Sequence, residues 1–340
     1  MTMGVKDGCA RIAAMGMYVP KRVLTNQDLE QMVDTSDEWI FTRTGMRAYH
    51  IAGPDEPTSM MGMRAAQEAL SRAKLTPADI DLIVVCTMTP DYGGAPCTAA
   101  LIQNQLGAPH IGAMDLNAAC SGFIYGLTVV KALIESGLYR RVLLIASEQM
   151  SSLGDYTDRS TCILWGDGAV AAVLCAEGPG LAIQEISLGA DGSLAELLQV
   201  PAGGCREPAT AETVAQRRHF IKMEGRETFK HAVRHMEAVG RECLQRAGIT
   251  DQQLSWVVPH QANIRIMDAV AKRFDVPDTR LFRTVHKYGN SSASAIGLAL
   301  DELLKTQPLA AGEHVLLVAF GAGLTWGGAL LTQVSGDHSG

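Results

Sequence analysis

The sequence predicts an α/β fold made of two similar halves, because one segment of the chain occurs twice. Residues 117–146 align with residues 290–319 without a gap, and each copy reads as a small-residue turn, an apolar helix, a short loop and a buried strand. Upstream, the segment from Arg72 matches the segment from Arg246 at nearly the same spacing. The repeat is far too long for a solenoid or propeller, so it predicts two packed α/β halves with an active site at their junction.

Length and composition agree with a large enzyme. The 340 residues are 47% hydrophobic, and we place the two halves at residues 1–180 and 181–340. A net charge of −7 argues against a nucleic-acid partner. The eight cysteines form no CxxC pair, which favours reduced thiols over disulfides or a zinc site. Because we find neither a signal-type N-terminus nor an apolar run long enough to span a membrane, we expect a cytoplasmic protein.

The first half is predicted to alternate helices with buried strands. Thr25, with Asp28 three positions later, predicts the start of a short helix. The hydrophobic pattern then predicts, in order, a helix at 57–74, a strand at 79–85, a helix at 96–106, a strand at 111–117, a helix headed by Cys120 and a strand at 141–147.

The second half repeats this pattern after an interruption. Segments starting at Trp165 and at Thr325 both follow a glycine turn and are predicted to be the closing strands of the two halves. Residues 189–216 are rich in Gly, Pro, Ala, Glu and Thr, and we interpret them as an irregular inserted loop. A helix is predicted over 219–247.

Cys120 is a candidate nucleophile because it lies between a predicted strand and a predicted helix, among small residues. Backbone N–H groups at a helix start can stabilise a thiolate, so we expect a lowered pKa for this thiol and room for an acyl group beside it. The alternative is a buried structural cysteine.

His260 and Asn290 are the candidate partners of Cys120. His260 follows an apolar strand, at the strand end where ligands usually meet α/β sheets, although backbone groups could equally satisfy a histidine there. Asn290 heads the second-copy helix, where an ordinary helix cap is the alternative. Superposing the two copies directs all three residues towards one junction.

Several motifs resemble β-ketoacyl-acyl carrier protein synthase III, a family of the thiolase-like superfamily. They are DLNAACSGF, VVPHQANIRI, HKYGNSSASAIG and FGAGLTWGGALL, with DEWIFTRTGMRAYHI upstream. The resemblance extends over nearly the whole chain and implies a thiolase-like layered αβαβα duplication that forms a homodimer. It also implies two substrates, an acyl-CoA primer and malonyl-acyl carrier protein, with no cofactor. The implied reaction is a decarboxylating Claisen condensation that initiates fatty acid synthesis.

The resemblance implies a role for each residue of the site. Cys120 would attack the primer thioester, while His260, in its neutral form, and Asn290 would donate hydrogen bonds to the enolate left by decarboxylation. The backbone N–H groups of Cys120 and Ala322 would form an oxyanion hole for the acyl carbonyl. In the family, the position of Ala95 gates the acyl pocket across the dimer interface, so a small residue there predicts that longer primers are accepted.

Substrate contacts follow from the same resemblance. Trp39 and Arg159 match positions that sandwich adenine, although Trp39 could instead be a core anchor. The residues matching the CoA site are Thr35, Trp39, Arg43, Arg159, Gly225, Phe229 and Asn263. The residues assigned to acyl carrier protein docking are Lys230, Gln261, Ala262, Asn263, Ile264, Arg265, Lys272 and Arg273, whose basic members could also be an ordinary charged helix face.

The sequence also bears on two other functions and on a metal site. A related enzyme could use the same three residues in secondary metabolism, with a bare CoA thioester as acceptor. A catalytically silent partner subunit is disfavoured because such proteins typically lose the nucleophile. His231 and His235 have metal-ligand spacing but no carboxylate-rich surroundings, so no metal is expected.

Overall fold

A nine-stranded mixed sheet runs through the protein, whose structure is a computed structural model describing residues 8–335. The strands are β1 (Arg11–Tyr18), β2 (Val23–Thr25), β3 (Ala48–His50), β4 (Leu82–Cys86), β5 (Gly112–Leu116), β6 (Arg141–Gln149), β7 (Asp167–Cys175), β8 (Gly180–Ala190), β9 (Leu198–Gln199), β10 (Lys222–Met223), β11 (Leu254–Pro259), β12 (His314–Gly321) and β13 (Thr325–Val334). The helices are α1 (Asn26–Glu30), α2 (Asp37–Thr44), α3 (Thr58–Ala73), α4 (Thr98–Leu106), α5 (Gly122–Glu135), α6 (Ala211–Ala215), α7 (Gly225–Ala247), α8 (Ile264–Arg273), α9 (Val285–Tyr288) and α10 (Ala293–Thr306).

The sheet consists of one four-stranded unit used twice. Its strand order is β11-β12-β13-β8-β1-β7-β6-β4-β5. In one unit β4 runs parallel to β6, which is antiparallel to β7, which is antiparallel to β1. The strands β11, β12, β13 and β8 repeat this arrangement. The units meet where β1 and β8 share two residue pairs. The repeat seen in the sequence is therefore present in the structure, whereas the division at residue 180 stays a prediction.

The protein has five layers, because helices lie between the two sheet units and also cover the outer face of each unit. Helices α5 and α10 contact strands of both units and fill the space between them with one apolar cluster. On the outer faces, α3 and α4 cover the first unit and α7 and α8 cover the second. Successive side chains point to opposite faces, so Leu143 and Leu144 enter different clusters. This is the αβαβα arrangement that the sequence predicted.

Several elements differ in extent from the sequence-based prediction, and the strand predicted from 79 begins at Leu82. The helix predicted from 96 begins at Thr98, because the Asp115 carboxylate accepts hydrogen bonds from the N–H groups of Thr98 (2.7 Å) and Ala99 (2.8 Å). The helix predicted from 219 begins at Gly225, because β10 pairs with β9 just before it. The segment 189–216 is not irregular throughout, since it contains β9 and α6. The capping box predicted at Thr25 and Asp28 is confirmed.

Candidate functional site

Cys120 lies in a 3-10 turn, Ala119–Ser121, between β5 and α5. The end of β12 packs directly against this turn, because a Cβ atom on Gly321 would lie 2.7 Å from the Cys120 backbone nitrogen. The Ser121 hydroxyl donates a hydrogen bond to the Thr325 hydroxyl (2.8 Å), which ties the turn to the start of β13. The candidate nucleophile is thus held by contacts from the second repeat.

His260 follows β11 and Asn290 lies just before α10, and backbone hydrogen bonds hold both. The His260 N–H donates to the Val318 carbonyl (2.8 Å). The Asn290 N–H donates to the Leu164 carbonyl (2.8 Å), and the Asn290 side-chain oxygen accepts from the Ser292 N–H (2.9 Å). Because that oxygen is occupied, the amide NH₂ of Asn290 is the group that can donate to a substrate.

One cavity of about 680 Å³ brings the three candidate residues together. Cys120, His260 and Asn290 all line it, although each is at most 6% exposed. Its apolar wall and few polar groups are typical of small-molecule sites. Other residues singled out from the sequence that line it are Trp39, Arg43, Gly225, Phe229, Lys230, Ala262, Asn263 and Arg265.

A second, smaller cavity of about 50 Å³ adjoins Cys120. Cys120 and Ala322 border it together, as expected if their backbones act on one group. The other residues that line it are mostly apolar, and Gln199 contributes an amide: Met88, Ala119, Met150, Trp165, Leu198, Gln199, Val200 and Ile221. The nucleophile therefore lies between a large entry cavity and a small apolar end.

Burial dominates the protonation of the site. It raises the pKa of the Cys120 thiol to about 12. This direction is opposite to the lowered pKa that the sequence analysis expected from the helix start. Burial lowers the pKa of His260 to about 4. This direction favours the neutral imidazole that the sequence analysis expected.

Comparisons with known proteins identify the family of this chain. Residues 114–192 match the family model of 3-oxoacyl-acyl-carrier-protein (ACP) synthase III, and residues 244–333 match the model of its C-terminal part. The β-ketoacyl-acyl-carrier-protein synthase III of Chlamydia caviae is 53% identical over 328 residues, covering 96% of this chain and 98% of the relative. The chain belongs to the β-ketoacyl-acyl-carrier-protein synthase III family.

Solved structures support the same assignment. The 3-oxoacyl-acyl-carrier-protein synthase III of Aquifex aeolicus VF5 superposes with a TM-score of 0.88 at 45% identity, covering 95% of this chain and 99% of that one. The priming β-ketosynthase of the R1128 polyketide pathway is less similar, at 34% identity, with a TM-score of 0.87 and 98% of both chains covered. The predicted thiolase-like fold is confirmed. The chain is a condensing acyltransferase that joins an acyl-CoA primer to malonyl-acyl carrier protein in the initiating step of fatty acid synthesis.

Trp39 and Arg159, the two residues predicted to sandwich adenine, lie close together in the structure. The Arg159 guanidinium lies 4.7 Å from the centre of the Trp39 ring, and Arg43 lies 5.5 Å from it. Arg159 also donates to the Asp34 carbonyl (2.8 Å). Neither Arg159 nor Thr35 lines the large cavity. A purine could enter between Trp39 and Arg159 only after the arginine moves aside.

The residues assigned to carrier docking divide into exposed and internal groups. Lys230, Arg265, Lys272 and Arg273 are exposed, and the first two border the cavity mouth. Gln261 is 1% exposed, and its amide binds the Pro259 carbonyl (2.7 Å) and the Thr284 N–H (2.7 Å). Its assignment to a docking surface is therefore wrong, because its polar atoms serve the interior.

Other residues near the mouth have different positions from those expected. Ile264 packs against Gly45 at the end of α2. Asn263 caps α8 by accepting from the Arg265 N–H (2.8 Å). Arg226, which the sequence analysis did not single out, is exposed and borders the mouth beside Lys230. The sequence gave no signal for Arg226, because the helix that carries it was predicted to begin at residue 219 rather than at Gly225.

Ala95 lies on an exposed loop and lines neither cavity of its own chain, so its gating role stays a prediction.

The rings of His231 and His235 stack with their centres 5.8 Å apart. Residues 8–335 contain no group of three His, Cys, Asp or Glu side chains placed to hold a metal ion. Within the same residues, no helix has the length and apolar character needed to cross a bilayer.

Replacing Gly321 with alanine should abolish acylation of Cys120. The added Cβ would force the Cys120 backbone to move, and displacements of about 1 Å at a reacting group can cost roughly 100-fold in rate. Acyl-enzyme formation, followed by intact-protein mass spectrometry, measures the effect. Gly204→Ala is the matched control, because its Cβ would meet open space. Equal acylation rates in the two variants would contradict the close packing.

Proposed function

We propose that Cys120, His260 and Asn290 divide the condensation into two half-reactions. The main support for this proposal is that these residues, which come from both repeats, line one buried cavity. Cys120 attacks the primer thioester, coenzyme A leaves, and an acyl-enzyme remains. His260 and Asn290 act afterwards, when malonyl-acyl carrier protein enters the same cavity. Acyl-CoA is a substrate in this scheme, and no cofactor is required.

The acyl group is proposed to occupy the small cavity beside Cys120. During attack its carbonyl oxygen becomes negatively charged and needs donors already in place. The backbone N–H groups of Cys120 and Ala322 are assigned this role. Support comes from Gly321, whose missing side chain lets the two backbones approach each other.

Decarboxylation is proposed to rely on two uncharged donors. Loss of CO₂ leaves an enolate whose charge lies on the thioester oxygen. The neutral His260 imidazole can present one N–H, and Asn290 presents its NH₂ group because its oxygen already accepts from Ser292. The enolate carbon then attacks the acyl-cysteine and releases the thiolate of Cys120.

The large cavity is proposed to bind the pantetheine arm of both substrates in turn. Trp39, Arg43, Gly225, Phe229 and Asn263 lie along it, with Thr35 and Arg159 completing the CoA site outside. The carrier protein is proposed to dock on exposed basic residues: Arg226, Lys230 and Arg265 at the mouth, with Lys272 and Arg273 in the last turn of α8. Basic groups on a chain of net charge −7 would steer an acidic partner to this face.

A homodimer is proposed to form through β5. This strand is the last in the sheet order, and Met114 on it is 41% exposed. An edge strand with free backbone groups can pair with a second copy about a two-fold axis. Ala95 would then act at the partner's acyl cavity. The eight unpaired cysteines fit a reducing compartment, and we propose the cytoplasm.

Separate assays of the half-reactions should distinguish the three residues. Cys120→Ala should form no acyl-enzyme and retain CO₂ release from malonyl-acyl carrier protein. His260→Ala and Asn290→Ala should be acylated but lose at least about 100-fold in decarboxylation, because each removes a donor to the enolate. Cys243→Ala, a buried cysteine that lines neither described cavity, is the control. Wild-type decarboxylation by His260→Ala would refute its role.

Charge reversal near the mouth should act on one substrate only. Arg265→Glu with Lys272→Glu should raise the KM for malonyl-acyl carrier protein about tenfold and leave the rate of acylation by acyl-CoA nearly unchanged. The difference should shrink at high salt, because exposed charges are screened. Arg140→Glu, at an exposed arginine just before β6, is the control. Equal effects on both substrates would rule out a carrier-specific surface.

The residue at position 95 should set primer length. We expect the wild type to accept primers longer than butyryl-CoA, since each additional buried methylene contributes about 0.8 kcal/mol. Ala95→Phe should restrict it to acetyl- and propionyl-CoA, whereas Ala95→Ser should keep the wild-type range. Mass spectrometry of the acyl-enzyme across a primer series measures both. A Phe variant with an unchanged length profile would contradict the gate.

A further inference from the structure

The turn that carries Asn290 is built like the turn that precedes the nucleophile. In the ungapped alignment of the two repeats, Asn290 corresponds to Asn117 and Ser292 to Ala119. Each asparagine side-chain oxygen accepts a hydrogen bond from the N–H group two residues later, at 3.1 Å from Ala119 and 2.9 Å from Ser292. Ala119 and Ser292 also share a positive φ, of 46° and 51°. Residues other than glycine rarely adopt this conformation, so surrounding contacts must hold both turns.

The residue that supports each turn from the neighbouring strand differs between the copies. In the first copy Gly321, at the end of β12, packs against the backbone nitrogen of Cys120. The same alignment pairs Gly321 with Glu148, near the end of β6, and pairs Cys120 with Ala293. The Ala293 N–H donates to the Glu148 carboxylate at 3.5 Å, a long hydrogen bond. A glycine in one copy is thus replaced by an acid in the other.

Glu148 also binds the loop that follows β4. Its side chain is 0% exposed and accepts from the hydroxyls of Thr87 (3.1 Å) and Thr89 (2.8 Å). The Met88 N–H is a further donor, at 3.1 Å. Burying a carboxylate costs free energy unless hydrogen bonds replace its water, and here neutral donors from two segments do so. The carboxylate therefore ties this loop to the start of α10.

The two backbone groups that Glu148 binds lie on either side of Ser292. The Ser292 hydroxyl donates to the Met88 sulfur (3.5 Å), and Ala293 follows Ser292 directly in the chain. With φ of 51° and ψ of −123°, Ser292 is held in a strained conformation between them. In this conformation its N–H occupies the side-chain oxygen of Asn290, which leaves the NH₂ group free to donate.

We propose that Glu148 is a positioning residue for decarboxylation, which holds the strained Ser292 turn and so directs the NH₂ group of Asn290 towards the enolate. This proposal rests on the donor role proposed above for Asn290. Glu148 lines neither described cavity, so it acts through Asn290 and not on the substrate. Acylation uses the other turn, which Gly321 supports, and should depend little on Glu148.

Glu148→Gln tests this role, because the substitution keeps the side-chain size and turns one acceptor oxygen into a donor that faces other donors. CO₂ release from malonyl-acyl carrier protein should fall about tenfold, while single-turnover acylation by acetyl-CoA stays within about threefold of the wild-type rate. Asp251→Asn is the control for loss of a buried carboxylate. Asp251 binds Arg241 (2.6 Å) and lines neither described cavity, so both rates should stay near those of the wild type.

Two paired variants distinguish positioning from a structural role. Adding Glu148→Gln to Asn290→Ala should lower CO₂ release by less than about twofold further, because the group that Glu148 positions is already gone. Adding it to Ser292→Gly should lower CO₂ release by less than about threefold, because glycine adopts a positive φ without strain. The glycine background also keeps the test possible where Glu148→Gln alone folds poorly.

Wild-type CO₂ release by Glu148→Gln would overturn the proposal. An equal loss of both half-reactions would also overturn it, as would a full tenfold loss in either paired variant, because these results indicate a structural role. Wild-type CO₂ release by Asn290→Ala would instead refute the donor role of Asn290, and this proposal with it. Selective loss of CO₂ release that disappears in both paired variants would support the positioning role.

Discussion

The site depends on the close contact between the first turns of the two central helices. A Cβ atom on Gly122 in α5 would lie 3.1 Å from the Cβ atom of Ala293 in α10, so small residues set how near the helices come. Cys120 precedes one helix and Asn290 the other. The β12 end, with Gly321 against Cys120, closes the same junction from the second repeat. Two copies of one unit thus build a single site.

This junction is buried, and burial controls its chemistry. It keeps the Cys120 thiol and the His260 imidazole uncharged, which suits a histidine that donates a hydrogen bond and leaves the cysteine with a proton to lose. Low dielectric also strengthens donors aimed at developing oxyanions. The same desolvation therefore favours the uncharged form of both groups.

Much of this arrangement was predictable from the sequence because the repeat is a long-range signal. It predicted the layered fold, and the motif resemblance predicted which residues meet in the cavity. The start of α7 was not predictable, because the pairing of β9 with β10 joins segments distant along the chain. Gln261 lies in a motif that resembles a docking loop, yet its partners near Thr284 are visible only in three dimensions.

Cys120 shows the same limit at the site. Its place before a helix favours a thiolate, whereas its burial, which depends on packing from both repeats, raises the pKa of its thiol.

The most direct test of the account is to locate the acyl group after the wild-type protein reacts with acetyl-CoA. Proteolysis followed by tandem mass spectrometry distinguishes all eight cysteines, of which Cys205 is the exposed one. We expect a single acetyl group on Cys120, and addition of malonyl-acyl carrier protein should remove it. Acetylation of another cysteine, or an acetyl-Cys120 that malonyl-acyl carrier protein does not discharge, would contradict it.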